Sequence, residues 1–189
     1  MPTSTGRDSS AGGGSGHARG VGGAAARETK TLRLHLSAPR LEDAPALFAF
    51  MGDAAVMQHT YRKDSLRDMR RHIAAHWWQA RRLGFGCWTV RHEGRVVGFG
   101  GLNDDPLEPG YGPEVAYFFA REAWGKGFAG EVVSASLDWA RELGLPNVCA
   151  FVHPENAASR RVLERAGFTV ERWVPEMTRW LLRIELRRA

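Results

Sequence analysis

From Leu32 onward the chain alternates between two periods of apolar residues, one near two and one near 3.6. Leu32, Leu34 and Leu36 alternate with Arg33 and His35, the pattern of a half-buried strand. Acids at Glu42 and Asp43 then open a helix running to about Met51. Ser65 predicts the cap of a longer helix reaching about Leu83, with Leu66, Met69, Ile73, Trp77 and Ala80 on one face. Gly84 and Gly86 stop it. Cys87–His92 and Arg95–Leu102 predict two strands, joined by Glu93-Gly94 as a tight hairpin.

A loop rich in Asp, Pro and Gly, from Asn103 to Pro113, leads into a strongly apolar strand, Glu114–Ala120. The glycine-rich turn Trp124-Gly125-Lys126-Gly127-Phe128-Ala129-Gly130 feeds a helix that ends near Leu143, before Gly144 and Pro146. Asn147–His153 predicts a strand, Glu155–Ala166 a helix closed by Gly167, and two last strands start near Phe168 and Met177. In the final strand Trp180, Leu182, Ile184 and Leu186 face one way, and Arg179, Arg183, Glu185 and Arg187 the other.

Composition adds a tail and removes several classes of function. Residues 1–30 are mostly Gly, Ala, Ser and Thr, with Met1 and Val21 the only large apolar side chains. Such a segment buries too little to offset its ordering entropy, so we read it as disordered and residues 31–189 as one domain. It has no continuous apolar core of a secretory signal, and no window is apolar enough for a membrane span, so the expected location is cytoplasmic. Two cysteines without metal-site spacing exclude a disulfide scaffold and a zinc finger, and no metal is expected. The formal net charge is +5, yet the arginines stand beside acids throughout. Arg179, Arg183, Arg187 and Arg188 come nearest to a basic face, and Glu185 lies among them, so no nucleic-acid partner is expected.

The glycine turn carries the chemistry. Glycine lets the backbone turn sharply, and the unpaired amides of a helix start point at an anion, with Lys126 adding a mobile positive charge. A diphosphate fits such a turn; the plainer reading is a flexible strand–helix connection. Gly125 to Gly130 formally matches the dinucleotide fingerprint G-x-G-x-x-G. That reading expects a first strand before the turn and an acid ending the next strand, whereas here several strands precede it and His153-Pro154 follows. A nucleotide P-loop fails as well, because Lys126 is followed by Gly127 rather than Ser or Thr.

The order of elements, with Trp124-Gly125-Lys126-Gly127-Phe128-Ala129 and Asn156-Ala157-Ala158-Ser159 through Ala166-Gly167-Phe168, resembles the GNAT superfamily of N-acetyltransferases. The resemblance covers residues 31–189, and the segments Leu32–Asp43 and Trp124–Glu131 resemble the branch containing ribosomal-protein N-terminal acetyltransferases. It implies an α/β fold with a mixed, mostly antiparallel central sheet of about seven strands flanked by about four helices. It also implies acetyl-CoA as acyl donor, held by Phe118, Phe119, Ala120, Trp124, Gly125, Lys126, Gly127, Phe128, Ala129, Gly130 and Asn156. Trp124 replaces the motif's usual Gln or Arg, so diphosphate contacts fall to the backbone amides.

The implied reaction is direct attack of an amine on the thioester. A protonated amine must first lose a proton to a base, and Glu114 stands where the family often places one, with Glu176 as second candidate. The oxyanion is expected at a backbone amide around Phe119. Many relatives protonate the leaving thiolate with a tyrosine at the position of Leu163; Ser159 is the substitute available here. The implied partner is an amine-bearing acceptor, a protein or peptide N-terminus or a small molecule, and the domain is expected as a monomer or homodimer. The lost tyrosine leaves a non-catalytic acyl-CoA-binding module open as an alternative.

Other residues are given plainer roles. Cys149 belongs to an apolar strand, and His153 follows that strand as a loop residue with nothing in the sequence to orient it. Trp77 joins the core stripe while Trp78 lines a substrate mouth. Asp104, Asp105 and Glu108 form an acidic loop, read first as a solvated surface and alternatively as an attractor of a cationic amine.

Overall fold

The computed structural model describes residues 28–104 and 110–186. Eight strands form one sheet: β1 Thr29–Lys30, β2 His35–Ser37, β3 Cys87–His92, β4 Arg95–Asn103, β5 Glu114–Phe119, β6 Asn147–Val152, β7 Thr169–Val174 and β8 Arg179–Glu185. Their spatial order is β1-β2-β3-β4-β5-β6-β8-β7. Every neighbouring pair is antiparallel except β5 and β6. The eighth strand is β1, which brings Thr29 and Lys30 out of the expected tail by pairing with Leu36 and His35. Residues 1–27 lie outside the described part, as do Asp105 and Glu108 of the acidic loop and Arg187 and Arg188.

Among the described residues four α-helices cover the sheet: α1 Ala44–Met51, α2 Leu66–Leu83, α3 Phe128–Glu142 and α4 Ala157–Arg165. Helices α1 and α2 bury Leu47, Met51, Met69 and Ile73 with Phe99 on one face. Helices α3 and α4 bury Val132, Val133 and Leu163 with Trp88, Val148 and Leu182 on the other, where the Trp88 and Trp139 rings stack 4.9 Å apart. The Ser65 hydroxyl accepts the Asp68 amide at 3.1 Å and starts α2; Gly84, at φ 79°, ends it.

Three patterns read differently in three dimensions. Leu32 is 91% exposed, because Thr31 N–H donates to Leu34 O and turns the chain before β2 begins at His35. Trp77 leaves the core stripe: it is 38% exposed and its indole donates to Pro39 O, while His76 takes the buried position. Strand β8 buries both Leu181 and Leu182, since both of its faces are covered.

Candidate active site

The parallel strands β5 and β6 meet at one register point, Glu114 opposite Cys149, with Cys149 N–H donating to Pro113 O at 2.8 Å. Beyond it no register point joins the two strands, which leaves a gap in the pairing on the side of Phe119 and Val152. The β4–β5 ladder determines what faces this gap. Ala120 N–H donates to Val97 O, so by alternation Tyr117 and Phe119 point their amides away from β4 and towards the gap. The Phe119 carbonyl on that edge accepts the Trp124 indole N–H at 2.9 Å. Trp124 thus pins the turn to the strand, and its ring lies under the Arg121 guanidinium at 5.6 Å.

The turn itself requires glycine: Gly125 has φ 73° and Gly127 φ 79°, where a β-carbon is strained. Gly127 is also the residue before α3, and no side chain caps that helix. Gly130 and Glu131 donate inward to Gly127 O, whereas the amides of Phe128 and Ala129 have no partner among the described residues. Those amides, the α3 dipole and the exposed Lys126 make the start of α3 receptive to an anion. Phe128 itself is buried against the core, so its backbone rather than its ring serves such a ligand.

Arg33 escaped the sequence reading. Its guanidinium pairs with Glu131 and lies 4.9 Å over the Phe128 ring. Burial would raise the Glu131 carboxyl, but bonds from Thr31 and Arg33 hold it below its ordinary value. The β1–β2 turn is therefore tied to the first turn of α3. No sequence signal joins residues so far apart.

Helix α4 starts differently. Asn156 Oδ1 accepts the Ser159 amide at 3.0 Å, so the helix begins at Ala157 rather than Glu155. Ser159 Oγ lies 2.9 Å from the Tyr117 hydroxyl, which reaches it from the edge of the gap. Burial pushes the Tyr117 phenol up to about 12, so it stays protonated. Leu163, at the position of the missing tyrosine, is buried in the core. A phenol is present after all, supplied by the strand; its alternation with Val115 and Phe119 is the one sequence signal that pointed there.

The two faces divide the titratable groups. Val115, Tyr117 and Phe119 belong to the α3–α4 side, while Phe118 packs on the α1–α2 side, which Glu114 shares by alternation. Glu114 stands at the closed end of the gap, about 16 Å along the strand from Phe119 at roughly 3.3 Å per residue. Glu176 is exposed in the short turn before β8. Cys149 is a buried core thiol pushed up to about 12, first by burial and then by the nearby Glu114 charge. His153 does have neighbours, His59 and Glu155. Trp78 is 63% exposed beneath the Arg82 guanidinium.

A split parallel pair beside an uncapped, glycine-led helix offers an anion site, and comparison with known proteins gives the class of the chain. A family model described as an acetyltransferase (GNAT) domain matches residues 33–169. The chain belongs to the GNAT acetyltransferases. It is 34% identical over 147 residues to the N-acetyltransferase p20 of Bacillus licheniformis, covering 75% of this chain and 82% of that one. It is 30% identical over 112 residues, 56% of this chain and 66% of that one, to the L-methionine sulfoximine/L-methionine sulfone acetyltransferase of Salmonella typhimurium. An Agrobacterium tumefaciens acetyltransferase superposes with TM-score 0.73 at 27% identity, over 84% of this chain and 94% of that one. RimL, a ribosomal-protein α-N-acetyltransferase solved with coenzyme A, shares the fold at TM-score 0.72 and 16% identity, over 84% and 97% of the two chains. Among the described residues no helix is long and apolar enough to cross a membrane.

Proposed function

We propose that this acetyltransferase uses acetyl-CoA and transfers the acetyl group directly to a primary α-amine. The observation that carries the reading is the start of α3, where amides with no internal partner meet Lys126 at the end of a split sheet. The diphosphate sits there and the pantetheine arm runs along the β5 edge, beside Phe118, Phe119 and Ala120. The amine attacks the thioester carbonyl after passing its proton along a file of several waters to Glu114, a route the length of the strand calls for. The Phe119 amide donates to the oxyanion.

Collapse expels the thiolate, whose charge a hydrogen bond donated by Ser159 Oγ stabilises until solvent protonates it. Tyr117, kept protonated, positions that hydroxyl. This hydroxyl pair favours catalysis over the non-catalytic binding module. The branch likeness supports a peptide or protein N-terminus as acceptor. A second reading is a free amino acid, favoured by the 30% identity to the methionine sulfoximine enzyme; both acceptors present an α-amine.

Calorimetric titration of the full chain with acetyl-CoA, followed by mass spectrometry of a panel of peptides and amino acids, tests the reading. Saturable binding and an acetylated α-amine are expected. No binding of acetyl-CoA would refute it, and acetylation confined to side-chain amines would refute the acceptor assignment.

A further inference from the structure

His59, in the connection between α1 and α2, meets His153 and Glu155, in the connection between β6 and α4. One ligand atom from each lies within 4.8 Å of the other two, and among the described residues this is the one such convergence of three metal-ligating side chains. The imidazole rings stack with centroids 5.1 Å apart and planes 26° from parallel. His59 Nδ1 is buried and has no hydrogen-bond partner among the described residues. A buried ring nitrogen that has given up water and gained no protein partner, as His72 Nε2 and His76 Nδ1 also have, calls for an explanation, and of the three only His59 stands beside two further metal-ligating side chains. His153 Nδ1 accepts only the Glu155 amide, at a long 3.3 Å.

The frame around these side chains is held independently. Arg179 donates to His59 O at 2.7 Å, and Asn156 N–H donates to His153 O at 2.9 Å. The second bond places the cluster on the turn that delivers Asn156 to α4.

We propose that His59, His153 and Glu155 bind a borderline divalent transition metal such as Zn2+, clipping the α1–α2 connection to the turn ahead of α4. Two imidazoles and a carboxylate, with water as fourth ligand, suit such an ion and offer too few oxygens for Ca2+ or Mg2+. Tetrahedral coordination at about 2.0 Å requires ligand atoms roughly 3.3 Å apart, so the exposed Glu155 and the two rings draw inward by about an ångström. The thiols offer no competing site, since Cys87 and Cys149 are both buried and pushed above the ordinary thiol range. The metal takes no part in acyl transfer, so the site stands whether or not acetyl-CoA is the donor.

The test uses the full chain, free of affinity tags and treated with chelator, titrated with Zn2+ by calorimetry and with Co2+ by visible absorption. One ion per chain at micromolar affinity, tetrahedral Co2+ bands and a raised melting temperature with Zn2+ are expected. His59→Ala and Glu155→Gln should each weaken binding at least tenfold, by roughly the factor lost with a ligand or its close support. His35→Gln, a histidine outside the cluster, should leave it unchanged. Unaltered Zn2+ affinity in Glu155→Gln, whose exposed side chain is not needed for folding, would overturn the site. So would an equal loss in His35→Gln or the absence of stoichiometric binding.

Discussion

Helix α3 begins on Gly127, which has no side chain to offer its own amides, whereas α4 begins on Asn156, whose Oδ1 takes the Ser159 N–H at 3.0 Å. Both starts lie on the same side of the sheet and flank the same gap. They differ in where the orphan donors of a helix N-terminus go. In α3 the Phe128 and Ala129 amides remain available to a ligand; in α4 the Ser159 amide is satisfied internally, which fixes a hydroxyl beside Tyr117. An uncapped start binds, and a capped start positions. A helix that completed its own capping at Gly127 would have nothing left for a diphosphate.

The comparison breaks most directly at Gly127. Gly127→Asp adds a strained β-carbon at φ 79° and a carboxylate in the anion site. Calorimetry should show acetyl-CoA binding weakened about 100-fold, some 2.7 kcal/mol. Binding within a factor of two of the parent would remove the diphosphate from this turn. Ser159→Ala tests the other start: kcat should fall about 30-fold, and Tyr117→Phe about fivefold, with the KM for acetyl-CoA nearly constant. A parallel rise in KM would instead make the hydroxyl pair a binding feature.

These effects are separable only where the fold is stable, and α2 sets that window. Burial lowers His72 from 6.5 to about 2 and His76 from 6.5 to about 4, each aided by nearby positive charge. The folded values lie below the unfolded ones, so the unfolded chain binds protons first as pH falls. Stability contributed by the neutral pair is full above pH 6.5 and declines as pH falls, down to about pH 4 for His76 and about pH 2 for His72, by at most about 1.4 kcal/mol per pH unit for each histidine. Urea melts across that range check the slope, and a His76→Gln variant should flatten it.

Smaller changes sharpen the contrast. Asn156→Ala should cost about 1 kcal/mol of stability in a thermal melt through the lost cap, and lower kcat with it. Loss of stability alone would separate the cap from catalysis. Lys126→Ala should weaken acetyl-CoA only about threefold, an effect that fades as salt rises, because an exposed charge is screened. A salt-independent loss would point to a direct contact with fixed geometry.

Local signals made the two helix starts legible. The Gly125–Gly130 spacing and the Asn156–Ser159 pair each complete their geometry within one turn, so neighbouring residues suffice to reveal them. The hairpin at Glu93-Gly94 was readable for the same reason, and both residues have positive φ. Leu32 and Trp77 were misplaced because periodicity reports only which side chains share a face. It cannot report that Thr31 turns the chain or that Pro39 offers an indole acceptor.

By itself the sequence determined the order of elements after β1, the glycine turn and the family it implies, since backbone conformation and amphipathic period are written in residues close along the chain. Tertiary structure alone decided that Tyr117 reaches Ser159, that Arg33 locks onto Glu131 and that His59 stacks on His153. Each of these pairs joins segments tens of residues apart, and only packing against a shared sheet sets the distance between them.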